Sequence, residues 1–238
     1  MRALWRWLGL CALALLCLQV FLVVRIALMA VVNPQSTAFQ RSEAWRVARD
    51  KGALPWSQQW LAYGQIPDNL KRAVIASEDD GFASHDGVDW DALEKAWAKN
   101  NRAELRAEQK GTSKPPKVVG GSTITQQLAK NLFLSGERTL LRKGQEFVLT
   151  LALEICLSKP RILEIYLNNV EWGEGVFGAE AAAQHYFRKP ASRLSAYEAA
   201  RLVVMLPRPK YFEKTPNSAY LSGRAGVIAA RIGDARLP

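Results

Sequence analysis

Apolar residues dominate the start of the chain, where positions 8–24 are interrupted only by Gly9 and Gln19. At about 1.5 Å of rise per residue, a helix of this length spans roughly 25 Å, which is near the hydrocarbon thickness of a bilayer. Arg25 follows, and a second apolar stretch covers residues 26–32. The pattern predicts a transmembrane helix whose Arg25 reaches the far interface, with residues 26–32 lying near the membrane surface.

The residues before this run predict its orientation. Arg2 and Arg6 precede it with no acid among them, a pattern that favours a cytoplasmic N-terminus and an outward-facing remainder. The alternative is a cleaved signal peptide. It is disfavoured because the apolar run is long and no small-x-small site follows it closely; a cut at residues 36–38 would come late.

Beyond about position 42 the apolar residues recur with a helical period, and strands are hard to find. One predicted helix starts at Pro67 with Asp68 as its N-cap. Another starts at Thr123, where Gln126 three residues later completes a capping box. The other predicted helices cover residues 90–98, 140–157, 161–168 and 195–206.

Residues 99–117 differ from their surroundings, because they combine paired Asn, Gly, Pro and alternating charges. Such a segment has little to bury, which predicts a solvated loop. The chain is therefore expected to be mainly α. It divides into an anchor at 1–32, a juxtamembrane segment at 33–66 and a compact domain at 67–238.

Composition limits the classes of partner and site. The formal net charge of +10 is compatible with nucleic acid, an anionic membrane or a phosphorylated substrate. No nucleic-acid-binding motif occurs, so nucleic acid is not an expected partner. Cys11 and Cys17 lie in the apolar run, which leaves Cys156 unpaired and excludes a disulfide framework. With only His85 and His185 besides, no zinc site is expected.

The first segment with candidate chemistry is an acidic run, Glu78, Asp79 and Asp80, at the end of a predicted helix. Acids there oppose the helix dipole, so a purely structural sequence would rarely place three of them. They could form an exposed acidic turn, or Glu78 could be a carboxylate with a raised pKa that suits a general base. His85 could orient an acid, although a hydrogen-bonded core histidine is the commoner case.

The second segment joins Gly120 and Gly121 to the predicted start of a helix at Thr123. Exposed amides at such a start form an anion site. Thr123, Gln127 and Lys130 fall on one helical face, where they could hold a sugar and its diphosphate. The alternative is a capped amphipathic helix with a polar face.

The third segment places Arg142, Lys143 and Glu146 at the head of a helix that is otherwise nearly all apolar. Arg142 and Glu146 are one turn apart and could form a routine salt bridge. Charges that begin a buried helix need partners, however, and an active-site cleft would supply them.

Six motifs follow one another in the chain. They are EDDGFASHDG at 78–87, GGSTITQQLAKNL at 120–132, RKGQE at 142–146, SKPRILEIYLN at 158–168, GEGVFGAEAAAQHYF at 173–187 and LSAYEAARLVVMLPRP at 194–209. In this order and spacing they resemble the glycosyltransferase domain shared by class A penicillin-binding proteins and their monofunctional relatives. No Ser-x-x-Lys element appears in a transpeptidase context, so a monofunctional enzyme is expected.

The resemblance implies a lysozyme-like helical fold of two lobes, with a cleft between them and one lobe dipping into the bilayer. It implies that Glu78 is the base that deprotonates the acceptor 4-hydroxyl and that Glu146 is a second carboxylate near the leaving diphosphate. It assigns supporting places around the first site to Asp79, Phe82 and His85. Substrate-contacting positions are implied for Thr123, Gln127, Lys130 and Arg142, and added positive potential for Lys143.

The implied reaction joins a growing lipid-linked glycan chain to lipid II through a β-1,4 link and releases undecaprenyl diphosphate. A divalent cation, Mg²⁺ or Mn²⁺, is an expected cofactor, although no metal ligands are assigned. Proteins of cell division or elongation are expected partners. The implied location is the bacterial inner membrane, spanned once, with the catalytic domain in the periplasm. Two alternatives remain: a lysozyme-like lytic glycan hydrolase and a non-catalytic membrane-anchored scaffold.

Overall fold

The computed structural model describes residues 1–109, 120–137 and 139–238, and helices dominate them. Within these ranges the α-helices are α1 Arg2–Leu28, α2 Ala38–Lys51, α3 Asp68–Glu78, α4 Trp90–Gln109, α5 Ile124–Phe133, α6 Leu140–Cys156, α7 Lys159–Asn169, α8 Ala179–Phe187, α9 Ala196–Met205, α10 Pro209–Phe212 and α11 Ala219–Arg231. The strands are β1 Ser57–Gln58, β2 Glu171–Gly173 and β3 Val176–Phe177. The prediction of a mainly α fold is confirmed.

The helices form two groups. In one group α3 packs on α9 and α11, while in the other α5 packs on α2, α6 and α7, and α1 lies along α6. A continuous hydrophobic core joins the groups. Its largest fully buried side chains include Trp172, Tyr166, Phe82 and Phe177. Burial of this apolar surface is the main force that holds the two groups together.

Helix α1 is long and apolar enough to cross a membrane, with a mean hydropathy of 2.5 over an 18-residue window in which no residue is buried. Its far end departs from the prediction, because the helix continues past Arg25 and docks on the domain. Ile26 and Met29 are buried in the core, and the Arg25 guanidinium lies 5.3 Å from the centre of the Phe133 ring. Residues 26 and 29 therefore contribute to the core of the domain, and a position of residues 26–32 near the membrane surface stays a prediction.

Helix α4 corrects the predicted loop. It was expected to end at residue 98, yet it continues for 20 residues to Gln109, so residues 99–109 of the predicted loop are helical. The added turns are rich in Ala, Glu, Arg and Gln, which favour helix without needing burial. Only Ala96 of this helix is buried. The rest of the predicted loop, 110–117, lies outside the described residues.

Side-chain caps set several helix starts. The predicted capping box of Thr123 and Gln126 is present at α5, and a similar box of Thr37 and Gln40 starts α2. The prediction for α3 was wrong by one position, since Pro67 is the N-cap and Asp68 lies in the first turn. Asp68 pairs there with Lys71 at 2.8 Å.

A small sheet was missed by the sequence analysis. β3 lies between β1, to which it is parallel, and β2, to which it is antiparallel. Strands of two or three residues are too short to show the alternation that identifies a strand. Gly175 makes the turn between β2 and β3 with φ +75°, and a Cβ there would lie 2.0 Å from the Pro55 carbonyl oxygen. The sheet carries Glu171 at the start of β2.

Candidate active site

Glu78 is the last residue of α3, where the helix ends next to the start of α5. The residue as a whole is partly exposed, and its carboxylate accepts a hydrogen bond of 3.1 Å from the side-chain amide of Gln127. Burial raises the pKa of Glu78 above its ordinary value of 4.5, and the neighbouring Asp79 charge adds to this rise. Hydrogen bonds from Gln127 and Ser77 act in the opposite direction. The predicted rise in the pKa of this carboxyl is present.

Asp79 connects three parts of the site. One of its oxygens is 2.8 Å from Nε2 of His85, and the other accepts a hydrogen bond of 2.9 Å from the backbone N–H of Ile124, at the start of α5. A carboxylate at this end of a helix is favoured by the helix dipole. Asp79 therefore fixes the end of α3 against the start of α5.

His85 has a defined ring orientation. Its Nδ1 accepts a hydrogen bond of 3.1 Å from the backbone N–H of Gly87, so the ring hydrogen lies on Nε2 and is donated to Asp79. The ring also makes an edge contact with buried Phe82, with centroids 6.4 Å apart. The contact with Asp79 agrees with the interpretation in which His85 orients an acid, and that role stays a prediction.

Gly87 and Thr123 hold these segments together. Gly87 has φ +87°, and a Cβ there would lie 2.8 Å from side-chain atoms of Thr150 and Glu154, so only glycine fits. Its carbonyl accepts a hydrogen bond of 2.6 Å from the Thr123 hydroxyl. That hydroxyl also accepts from the backbone of Gln126. Thr123 is buried, and its hydroxyl hydrogen is committed to the fold; contact with a substrate stays a prediction.

Gln127 lies between Glu78 and a buried phenol. The Tyr166 hydroxyl donates a hydrogen bond of 3.0 Å to the side-chain oxygen of Gln127, whose amide then donates to Glu78. Burial, with the charges of Glu78 and Asp79, raises the pKa of Tyr166 well above its ordinary value of 10.0. The phenol thus keeps its hydrogen, and Gln127 is held with its N–H groups toward Glu78.

Glu146 lies at the centre of a second charged cluster. Its carboxylate is almost fully buried and accepts a hydrogen bond of 2.7 Å from Arg142 and a close contact from the Lys143 ammonium. The salt bridge between Arg142 and Glu146 that the sequence allowed is present. Within the described residues, the Nε of Arg142 is buried without a hydrogen-bond partner. The cluster therefore joins one carboxylate to two cations and keeps one unused N–H donor.

Two cavities lie on either side of the start of α5. The first has a volume of about 360 Å³ and is lined by Glu78, Asp79 and Thr123, with Lys95 and Lys99 from α4. The second has a volume of about 420 Å³. The site residues named from the sequence that line it are Gln127, Lys130, Arg142, Lys143 and Glu146. Ser122 lines both. The start of α5 thus separates a cavity with the candidate base from a cavity with the candidate cation cluster.

Some residues of the site were missed by the sequence analysis. Tyr166 stood inside a motif, but its link to Gln127 depends on how α5 packs on α7. Lys99 was assigned to a loop, and only the continued α4 brings it with Lys95 to the Glu78 cavity. Glu171 belongs to no helix cap and has no charged partner one helical turn away, so no sequence pattern marked it, yet it lines the second cavity.

The carboxylates do not fit a metal site made by the protein alone. Among the described residues there is no group of three or more His, Cys, Asp or Glu side chains that could hold a metal ion. Both oxygens of Glu146 face cations, and both oxygens of Asp79 accept hydrogen bonds. A Mg²⁺ or Mn²⁺ ion would need phosphate oxygens of a substrate to complete its ligands.

Comparison with known proteins gives consistent results. A family model described as Transglycosylase matches residues 50–233. A protein of Burkholderia thailandensis named "Biosynthetic peptidoglycan transglycosylase" is 54% identical over 241 residues, covering 100% of this chain and 90% of that protein. A protein of Burkholderia ambifaria with the same name is 55% identical over 225 residues, covering 94% of this chain and 87% of that protein.

Proposed function

The chain belongs to the transglycosylase family, and from this membership we propose that it works in cell-wall biosynthesis as a peptidoglycan glycosyltransferase. The resemblance inferred from the sequence motifs is confirmed by the family match and the relatives. The helical architecture agrees with the lysozyme-like fold class expected for that family. The matched residues include the charged side chains of both cavities, so the charged groups described above belong to the family domain.

We propose that the substrate is lipid II and that the reaction extends a lipid-linked glycan chain. The observation that carries this proposal is the position of Glu78 relative to the Glu146 cluster, on either side of the start of α5. Polymerisation needs a base for the acceptor hydroxyl and positive charge for the departing diphosphate. The two neighbouring cavities supply one requirement each.

In the proposed reaction, Glu78 removes the proton from the 4-hydroxyl of the acceptor sugar. The freed oxygen attacks the anomeric carbon of the lipid-linked donor, and the bond from that carbon to the diphosphate oxygen breaks. Undecaprenyl diphosphate leaves with the bonding electron pair, and the new β-1,4 link forms with inversion. Burial supports the role of Glu78, because a raised pKa brings a carboxylate closer to the basicity that general-base catalysis at neutral pH needs.

The leaving diphosphate is expected to meet the cations of the second cavity. Arg142 and Lys143 are held beside each other by Glu146, and Lys130 lines the same cavity. The unused Nε–H of Arg142 is a further donor for a phosphate oxygen. Glu146 thus positions the cations of this cavity. We also propose that a divalent cation bound to the diphosphate helps to stabilise its charge, and the chelator in the experiment below tests this.

We also propose that α1 anchors the enzyme in the inner membrane, with its N-terminus in the cytoplasm and the domain in the periplasm. Arg2 and Arg6 before the apolar window support this orientation. Exposed apolar side chains continue onto the domain: Trp90 of α4 contacts Phe147 of α6, with ring centroids 6.3 Å apart. Other such side chains are Trp97, Leu140, Leu141, Val148, Leu151 and Ile155. This surface suits the hydrocarbon around a lipid-linked substrate.

The test is incubation of the purified full chain with labelled lipid II in vesicles, with and without a chelator. High-mass glycan that lysozyme digests is the expected product. Glu78→Gln should still bind lipid II but lose at least about a hundredfold in polymerisation rate. Glu94→Gln is a matched control, because Glu94 is exposed on α4 and does not line either cavity.

Each other outcome identifies an alternative. Substantial polymer from Glu78→Gln would contradict its role as the base. Soluble muropeptides released from finished glycan would identify a lytic hydrolase. Binding without any turnover by the unmodified chain would favour a scaffold. Loss of polymer on chelation, with recovery on adding Mg²⁺ or Mn²⁺, would support the cation.

A further inference from the structure

A third carboxyl group, that of Glu171, lines the same cavity as the Glu146 cluster. It lies at the start of β2, and its side chain is 8% exposed. The sheet fixes its backbone, because Glu171 is paired with Phe177 of β3. Glu171 has no part in the reaction steps given above. A buried acid on the wall of a substrate cavity needs a partner to offset its desolvation.

The protein does not supply that partner fully. Within the described residues, Oε1 of Glu171 is buried and has no hydrogen-bond partner. The nearest cation is the Lys210 ammonium, 3.4 Å away, which is beyond a normal hydrogen bond. Lys210 makes its closer contact with Glu43. The ion pair with Lys210 therefore leaves Oε1 without a hydrogen bond, and a buried oxygen of this kind on a cavity wall indicates a ligand group that completes it.

The surrounding charges are shared among other groups. Helix α2 presents Glu43 and Arg46, which pair with each other at 2.9 Å, and Arg46 also pairs with Glu174 at 3.0 Å. Helix α10 presents Lys210. The other charged groups on the cavity wall are Lys130, Glu137, Arg142, Lys143 and Glu146. Burial raises the pKa of Glu171 to about 7, and the Glu43 charge adds to the rise against the effect of Lys210.

A carboxyl group that keeps its proton near neutral pH can donate a hydrogen bond. Such a group suits an uncharged acceptor oxygen. It repels a phosphate less strongly than an ionised carboxylate does. The cations that would bind a phosphate belong to the Glu146 cluster. The rest of the cavity wall suits a sugar. It combines uncharged polar side chains with apolar ones, namely Ser122, Gln126, Asn131, Ser135, Val170, Leu206 and Pro209.

We propose that Glu171 is a substrate-positioning residue that donates a hydrogen bond to the carbonyl oxygen of a sugar N-acetyl group in this cavity. The proposal rests on the proposed function, since peptidoglycan sugars carry N-acetyl groups. Glu171 acts on binding and orientation, while Glu78 remains the base. Its contribution is therefore expected in the KM for lipid II, with kcat changed little.

The experiment compares the full chain with Glu171→Ala, Glu171→Gln and Glu174→Gln in lipid II polymerisation between pH 6 and pH 8.5. Glu171→Ala should raise KM about tenfold, the effect of one lost hydrogen bond. Glu171→Gln keeps an N–H donor and should restore KM. Glu174→Gln is the matched control, because Glu174 is the next acid along the chain and does not line the cavity.

The pH dependence separates positioning from a structural role. KM of the unmodified chain and of Glu174→Gln should rise as pH increases through about 7, because the carboxyl group loses the proton that it donates. Glu171→Gln has no such proton, so its KM should stay flat. Lys210→Met should move the rise to higher pH, since removal of the cation disfavours the carboxylate.

A binding measurement with lipid II in vesicles keeps the two proposals apart. If the unmodified chain binds lipid II but makes no polymer, the proposed polymerase activity fails while the Glu171 variants still test binding. Equal affinity of Glu171→Ala and the unmodified chain would overturn the proposal for Glu171. A KM that rises with pH in Glu171→Gln as it does in the unmodified chain would overturn it too, even if the alanine variant does not fold.

Discussion

The side chain of Gln127 shows how single residues tune the candidate base. Its oxygen is occupied by the Tyr166 hydroxyl, so its amide hydrogens face Glu78. This hydrogen bond stabilises the carboxylate form of Glu78, whereas burial stabilises the protonated form. The pKa of Glu78 is therefore a balance between the two. A base that is buried without such a donor would be ionised only at higher pH.

Replacement of Gln127 by Leu tests this balance. Loss of the hydrogen bond removes a factor that lowers the pKa of Glu78, so the pKa should rise further. Because the base works only when ionised, the acid limb of kcat/KM should move to higher pH in Gln127→Leu. The measurement is a pH profile of lipid II polymerisation, read from the position of the limb and not from its height.

Gln184→Leu is the matched control for this profile. Gln184 also donates to a carboxylate, that of Glu180, at 2.9 Å, but on α8 and away from both cavities. Its pH profile should coincide with that of the unmodified chain. A limb that stays in place in Gln127→Leu would show that the amide does not set the ionisation of the base.

At the scale of elements, the sequence predicted helices best where a cap and an apolar face occur together. Helix α5 has both, and its predicted start at Thr123 is confirmed. Helix α4 has only one buried residue, so no apolar stripe marked its second half. The neighbourhood of Glu78 and Gln127 was beyond prediction, since it depends on the end of α3 meeting the start of α5. The roles of Glu78 and Gln127 were implied by the family resemblance, whereas their contact depends on where α3 and α5 meet.

The contact between α1 and α6 gives a prediction about the anchor. Gln19, a polar residue within the apolar run, exchanges two hydrogen bonds of 3.0 and 3.1 Å with Gln145, which adjoins Glu146. A single Gln19→Leu or Gln145→Leu change leaves one amide without its partner in apolar surroundings, whereas the double change removes both. The double variant should be less destabilised than the sum of the singles, by about 1 kcal/mol.

This coupling is measured by unfolding of the full chain in lipid nanodiscs, with polymerisation rate as a second readout. Both singles should lose activity, because the amide pair holds α6 next to the residue that gathers the cations. The double variant should recover part of that loss. Strictly additive effects on stability and rate would show that the two glutamines do not act as a pair.

At the scale of the whole molecule, the domain and the anchor form one apolar surface. Leu140 and Leu141, at the start of α6, are 92% and 89% exposed. Isolated exposed apolar residues are common on soluble proteins, but exposed apolar residues grouped beside an apolar helix mark an interaction surface and support the proposed contact with the membrane. The resemblance implies that one lobe dips into the bilayer. This surface suggests where that lobe would enter it, at α4 and α6. Helix α11 belongs to the other helix group and serves as the comparison.

Spin labels on a variant in which alanine replaces the three cysteines can test that location in vesicles. A nitroxide at position 141 should be more accessible to oxygen, which concentrates in hydrocarbon, than to a water-soluble nickel chelate. The control is a nitroxide at position 220, where Tyr220 is 59% exposed on α11, in the helix group that does not include α1. It should show the opposite preference, because the α3–α9–α11 group is expected to face water. Equal preference for the chelate at both positions would mean that the anchor holds the domain above the membrane. The Glu146 cluster would then bind a diphosphate that had risen out of the bilayer, not one held at its surface.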